Sequence, residues 1–301
     1  MDMNDIIESI RTSEISVDEY DTRCAPAGKL SNGSCIPLNL LVGMADAYNK
    51  SGEGNIKLYK NYETLNPTRY KKYLVKEFKK KLSPSCKTQA CWTKQEFINN
   101  MQQSAREDLI KNTFRPEGPE GKFEWLNTIN INDVMKQYEK EFNDFTFFGA
   151  VPIDFDDLPI LGIRDINYKN LLDQKKTKLG FIFNLDRHDE DGSHWVALFA
   201  DLSERLIYFF DSYGLPPKEE IRSLMRRIYR FCEMSTGNKK KIISDHNKIR
   251  HQFDNSECGV YSINFIERML KGDKFDKICQ DKTPDDVINK FRNTYFINAD
   301  V

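Results

Sequence analysis

Apolar positions follow two different periods along this chain, and the change of period divides it. Before Phe114 the spacing is helical. The stretch "IPLNLLVGMADAYNKSG" predicts a short helix closed at Ser51-Gly52. "NPTRYKKYLVKEFKKKL" puts Tyr70, Leu74 and Phe78 on one face at a spacing of four. "TKQEFINNMQQSAREDLIKNTF" predicts a third helix, capped by Thr93, with Glu96 three residues on and Phe97, Met101 and Leu109 as its apolar points. "FRPEGPEGKFEW" then breaks the pattern with two prolines and two glycines. The expected organisation is a helical accessory region over 1–124 and a second domain over 125–301.

Beyond the break, "NINDVMKQYEKEF" carries Ile131, Met135, Tyr138 and Phe142 on one helical stripe. "FTFFGAVPIDF" reads as extended. Three strand candidates follow at 180–185, 194–202 and 205–212; only Ser203 and Glu204 separate the last two, which predicts a hairpin. "PPKEEIRSLMRRIYRFCEM" is helical, with Ile221, Leu224, Ile228 and Phe231 in register, and "KKIISDHN" is a short strand. The helix after Cys258 sets Gly259, Ile263, Ile266 and Leu270 toward a core. "TPDDVINKFRNTYF" predicts a last helix with Thr283 as cap and Pro284 at the first position. There is no internal repeat. This order describes an α+β domain with a mainly antiparallel central sheet flanked by helices.

Composition narrows the classes. Of 301 residues, 39% are hydrophobic and 30% charged, which fits a folded, water-exposed protein and not a disordered one. No apolar run approaches the roughly 18 residues of a membrane span, and the acidic start "MDMNDIIESIRTSEIS" has no secretory n-region. A net charge of -1 gives no general attraction to nucleic acid or anionic membrane. Seven cysteines, an odd number, suggest a reducing compartment and free thiols.

The stretch "RHQFDNSECGVYSINFIERML" changes the picture most. Cys258 stands where an apolar helix begins, and free N–H groups and the helix dipole there favour a thiolate. A buried small hydrophobe is the ordinary reading of a cysteine, but the polar "DNSE" before it weakens that reading. A thiolate nucleophile needs a base, and the base needs an orienting group. Four histidines compete. His188 lies in a charged loop; His246 and His251 have loop-like surroundings. His194 begins a strand, a rigid mount. Asp211 ends the partner strand, so the hairpin would bring it to the same open end, whereas Asp201 sits at the turn end and reads as a turn residue. Taken singly, His194 is a strand-edge residue and Asp211 a turn carboxylate. Gln252, six residues before Cys258, could offer an amide to an oxyanion together with the Cys258 N–H; Asn255 is the nearer alternative donor.

Together, "HWVALFADL", "YFFDSYG" and "HQFDNSECGVYSINFIERML" resemble the clan of cysteine peptidases that includes the SUMO and ubiquitin-like-protein proteases and the adenoviral proteinase, over roughly residues 126–301. The "IRHQ", "ECG" and "HWVA" pieces, the final "FR" helix and the helical N-terminal region are similar to the polyprotein-processing proteases of large cytoplasmic DNA viruses, among them that of African swine fever virus. That relative carries asparagine where this chain has Asp211; either residue can orient an imidazole. The resemblance implies a papain-like core of the SUMO-protease type and a His194–Asp211–Cys258 triad with Gln252 at the oxyanion. It implies that Trp195 covers a narrow glycine-admitting channel, although a core strand aromatic is the plainer reading. It further implies cleavage after Gly-Gly, with no cofactor and no metal. The expected setting is maturation of viral structural polyproteins, in host cytoplasm or a virus factory, with packaging in the virion. Release of ubiquitin-like modifiers is the first alternative, and a non-catalytic nucleic-acid-binding or scaffold protein the second.

Two weaker signals lie upstream. Between Lys57 and Lys94 there are eleven Lys and Arg against two Glu, with aromatics interleaved. Such a 57–94 surface could take nucleic acid or an acidic protein, while a solvated helix face is the commoner meaning. Cys24, Cys35, Cys86 and Cys91 lack the spacing of a zinc ribbon, so neither a metal site nor a disulfide pair is the favoured reading.

Overall fold

The computed structural model describes residues 20–59, 66–121, 123–235 and 240–298. The acidic start and residues 60–65 of the basic stretch lie outside these. The chain forms two compact units, Met1–Pro116 and Glu117–Val301.

The first unit is helical: α1 Leu38–Ser51, α2 Pro67–Leu82, α3 Gln89–Trp92 and α4 Gln103–Asn112. Helix α1 ends at Gly52, whose positive φ of 81° closes it as the sequence suggests. Tyr70, Leu74 and Phe78 of α2 are buried, as their spacing requires. Two expectations fail here. The third helix is broken: a 3-10 turn, Glu96–Asn100, buries Phe97, then Met101 is extended at ψ 155° and α4 starts afresh. Thr93 does not cap it: the residue before the turn is Gln95, and the Thr93 hydroxyl donates back to Ala90 O at 2.8 Å. The four N-terminal cysteines are also not free thiols. Cys24 bonds Cys35 and Cys86 bonds Cys91. The Ser31–Ser34 bridge folds one pair together, and the single turn of α3 the other. The free cysteines, Cys232, Cys258 and Cys279, all lie in the second unit, so a whole-chain parity argument mixes two populations.

The second unit is a sheet with helices on both faces. Helix α5 Thr128–Glu141 precedes β1 Phe145–Val151; α6 Tyr168–Asp173 leads to β2 Lys178–Asn184. Then come β3 Trp195–Asp201, β4 Leu206–Phe210, α7 Glu219–Met234 and β5 Ile243–His246. Helices α8 Cys258–Leu270, α9 Phe275–Gln280, α10 Asp285–Lys290 and α11 Arg292–Tyr295 close the chain. The strand order is β1-β2-β3-β4-β5. The central strands β2, β3 and β4 pair antiparallel, including the expected hairpin, but both edge strands join parallel, so the sheet is mixed. Along β3, Trp195, Ala197 and Phe199 pack on the α8 side, while Val196, Leu198 and Ala200 pack on the α7 side. Burial on both faces is why this strand reads as a nearly unbroken apolar run.

Helix α8 is buried almost all round and not along one stripe; only Arg268 is partly open. Its one buried acid, Glu267, accepts from Tyr138 Oη at 2.8 Å and Tyr295 Oη at 2.5 Å, which fastens α8 to α5 and α11. The last predicted helix is two short ones. Pro284, not Thr283, is the residue before it, and Phe291 separates α10 from α11. Among the described residues no helix is long and apolar enough to cross a membrane.

Candidate active site

The hairpin register decides where the site forms. Ala197 pairs with Phe210, so the residues just beyond, His194 and Asp211, leave the sheet at the same end. His194 Nε2 lies 2.6 Å from Asp211 Oδ1. Both side chains are buried, at 7% and 2% exposure. Cys258 is the first residue of α8, 2% exposed, and its thiol is near enough to the His194 imidazole to raise the pKa of that ring. With Nε2 committed to Asp211, Nδ1 is the ring nitrogen left for sulfur. Burial alone would lower the His194 pKa; the hydrogen bonds and charges of Asp211 and Cys258 outweigh it and raise it to about 9. The imidazole is therefore a cation at neutral pH, with Nε2–H donating to the carboxylate.

Asp211 is held from three sides. Its Oδ1 also accepts the Tyr213 N–H at 2.9 Å. Its backbone N–H donates to Asn247 Oδ1 at 2.8 Å, and Asn247 Nδ2 returns a bond to Asp211 O at 2.7 Å. Behind it the chain turns at Gly214, φ 72°, against the Ile249–Arg250 backbone; a Cβ there would stand 2.8 Å from Ile249 C.

Gln252 is fully buried. Its Oε1 accepts from Ser212 Oγ at 2.6 Å, and its Nε2 donates to Asp254 O at 2.9 Å. A carbonyl can only accept, so this fixes which end of the amide is NH2 and leaves its second N–H uncommitted by these two bonds. Backbone bonds from His251 N and Gln252 N to Ser212 O, at 2.8 and 3.0 Å, lock the Gln252 loop to the Asp211 turn. Trp195 is buried on the α8 side, its Nε1 donating to Leu126 O at 2.8 Å. Leu126 also leans on Gly259, where a Cβ would come within 3.0 Å of it. Asn255, the rival donor, is exposed.

The other candidates sit elsewhere. His188 Nδ1 pairs with Asp154 Oδ2 at 2.6 Å, which raises its pKa. His251 is buried with Nε2 3.1 Å from Cys279 O. Asp201 Oδ1 accepts from Ser203 N and Glu204 N, the turn role read from sequence. Among the described residues no cluster of His, Cys, Asp and Glu could hold a metal ion. Sequence reasoning missed Asn247, Ser212 and Tyr213. Each acts through a backbone bond, a hydroxyl or a ring face, none of which leaves a spacing signal.

The sequence model of the Ulp1 protease family, C-terminal catalytic domain, matches residues 174–299. A thiol protease of Acanthamoeba polyphaga mimivirus is 39% identical over 274 residues, 89% of this chain and 90% of that relative. A cysteine protease of African swine fever virus is 24% identical over 254 residues, 78% of this chain and 92% of that relative. A crystal structure of the African swine fever virus protease superposes with a TM-score of 0.59 at 18% identity, over 96% of this chain and 98% of that one. It has the same fold. With a thiol at a helix start, an imidazole between it and a buried carboxylate, and these relatives, the chain belongs to the Ulp1 protease family of thiol proteases.

Proposed function

We propose that this protein is an endopeptidase that cuts after Gly-Gly and matures structural polyproteins of a large DNA virus. The observation that carries the chemistry is the 2.6 Å His194–Asp211 pair set against the Cys258 thiol. In this reading Cys258 Sγ attacks the scissile carbonyl carbon as a thiolate, its proton already resting on His194 Nδ1, and the carbonyl oxygen becomes an oxyanion that takes N–H from Gln252 and from the Cys258 backbone. The tetrahedral adduct expels the amine, which takes the proton on His194 Nδ1. Water then gives a proton back to that nitrogen and attacks the thioester, releasing the acid and the thiolate and restoring the starting pair. Asp211 keeps Nε2–H bonded throughout and orients the ring. Trp195 bounds the substrate channel; its indole is anchored to Leu126 O and so keeps a fixed wall, which supports a narrow passage suited to glycine.

Polyprotein maturation draws on the viral source of the relatives. It places the enzyme in host cytoplasm during assembly. Removal of ubiquitin-like modifiers is the second reading, favoured by the African swine fever virus relative being named a SUMO-1 cysteine protease. The helical unit is then an accessory to the catalytic one. The α2 lysines form its surface for an anionic partner, nucleic acid included. Lys71 is not among them: it is buried, bonded to Ser31 Oγ at 2.7 Å, and burial pushes its pKa down to about 8.

The test is cleavage of a panel of Gly-Gly-X peptides beside a ubiquitin-like fusion, with Cys258→Ala as control. Cut peptides and an intact fusion support the first reading. Cleavage of the fusion alone supports the second. Cleavage of neither, or by Cys258→Ala, overturns both.

A further inference from the structure

A column of flat groups rises from the catalytic base. The Tyr213 ring lies parallel to the His194 imidazole, with centroids 4.4 Å apart and planes 7° apart. The Arg250 guanidinium lies over the Tyr213 ring at 5.0 Å, and must use its other face because the imidazole fills the first. Phe253 meets the same guanidinium at 4.9 Å and is 65% exposed. The column thus runs from a buried ring to solvent, and it is tied at each level. Tyr213 N donates to the Asp211 oxygen that His194 Nε2 also faces. Arg250 Nε donates to Gln252 O at 2.6 Å. Gly214, with φ 72° and its N–H on Asp211 O at 2.8 Å, makes the turn that follows the Tyr213 ring.

We infer that Tyr213 is a positioning residue for His194, pressed onto the imidazole by Arg250 and Phe253, and that it keeps Nε2 on Asp211 and Nδ1 facing the Cys258 side through the catalytic cycle. The inference rests on the triad reading above. Its physical basis is simple. The imidazole changes charge and partner during turnover, so it would tilt unless its face were held. A parallel aromatic plane resists tilt without using either ring nitrogen. The same plane excludes water from one face, and the imidazole–carboxylate contact is stronger in the drier surroundings. Burial and the nearby Cys258 charge push the Tyr213 phenol pKa up, in keeping with a ring set against the site. The guanidinium is a fitting outer layer, since it stacks flat on an aromatic face while its edge remains free to bond Gln252 O.

The test compares Tyr213→Ala, Tyr213→Leu, Tyr213→Phe and Arg250→Ala in the full chain, on the Gly-Gly peptide that wild type cuts best. His194→Ala and Cys258→Ala run alongside. Tyr213→Ala and Tyr213→Leu are expected to lose roughly 10- to 100-fold in kcat with KM within about twofold, as for a mis-set catalytic group. Tyr213→Phe should recover to within about threefold, because the plane and not the hydroxyl does the work. Arg250→Ala should lose a few-fold in kcat. The pH profile of Cys258 alkylation by iodoacetamide should shift in Tyr213→Leu, a readout that general destabilisation does not move. Tyr213→Leu keeps more apolar bulk than Tyr213→Ala, so it answers the question even if Tyr213→Ala does not fold. Wild-type kcat in Tyr213→Leu, a loss in KM alone, an unshifted alkylation profile, or Tyr213→Phe no better than Tyr213→Leu overturns the inference. If His194→Ala and Cys258→Ala are dead while Tyr213→Leu is unaffected, this inference fails and the triad stands. If those two controls turn over, the triad itself fails.

Discussion

Three side chains from three segments meet at one end of the sheet, and each does so for a local reason. Cys258 is at the first position of α8, His194 just ahead of β3, and Asp211 just past β4. These were legible in the sequence because a strand end and a helix start leave marks: the turn "DEDGS", the hairpin spacing and the apolar periodicity of "GVYSINFIERML". Their supports were not. Asn247 is buried and spans Asp211 with two hydrogen bonds, yet an asparagine after a short strand reads only as a turn. Two outcomes follow for these residues. The His194 pKa is raised to about 9, so its protonated form persists up to that pH. Its bonding to Asp211 therefore contributes stability below its ordinary pKa near 6.5, lost as pH rises through about 9. The kcat/KM profile should show an alkaline limb centred near pH 9; a limb below pH 7 would contradict a protonated resting imidazole. Gln252→Ala should lower kcat by about 10²- to 10³-fold with a smaller change in KM, as expected for one lost oxyanion donor. A change in KM alone would place Gln252 in binding.

The elements that carry these residues show where periodicity works and where it fails. The hairpin was legible because both strands are apolar runs with only Ser203 and Glu204 between them. The edge strands were recognised, but not their parallel pairing, which depends on crossovers that no local pattern records. Helix α8 was placed correctly while its all-round burial was not, since the sheet, α5 and the C-terminal helices enclose it. Removing bulk at its centre should be costly: Ile263→Ala should destabilise the fold by about 2–5 kcal/mol in urea unfolding. A loss under 1 kcal/mol would mean that the site lies at a looser interface. The turn after β4 is more demanding. Gly214 combines φ 72° with backbone 2.8 Å from a would-be Cβ. Gly214→Ala should cost about 1–3 kcal/mol and also lower kcat, because the Asp211 and Gln252 loops are joined there. Unchanged kcat in a destabilised Gly214→Ala would separate the turn from catalysis.

The whole molecule sets two thiol chemistries side by side. The helical unit holds two disulfides, while the catalytic unit holds the free thiols, Cys258 among them. The sequence, read as a single pool of seven cysteines, could not reveal this partition, because spacing alone does not say which loops fold back on themselves. Closing loops this short should stabilise the helical unit by about 2–3 kcal/mol per bridge. Hydrogen exchange of the full chain with and without strong reductant should show faster exchange in 20–116 and little change in 117–298. Equal acceleration in both units would contradict a local role for the bridges. The basic run between Lys57 and Lys94 was legible as charge, but not the exception within it: Lys71 turns inward to Ser31 and Ser34. Turnover itself remains the sharpest test of a Cys258 nucleophile. Cleavage of a Gly-Gly peptide by Cys258→Ala should be measured beside its unfolding temperature. A fall of at least about 10⁴-fold in kcat/KM with an unfolding temperature close to wild type is the predicted result. Activity within about tenfold of wild type would contradict it, since truncating a true nucleophile costs far more.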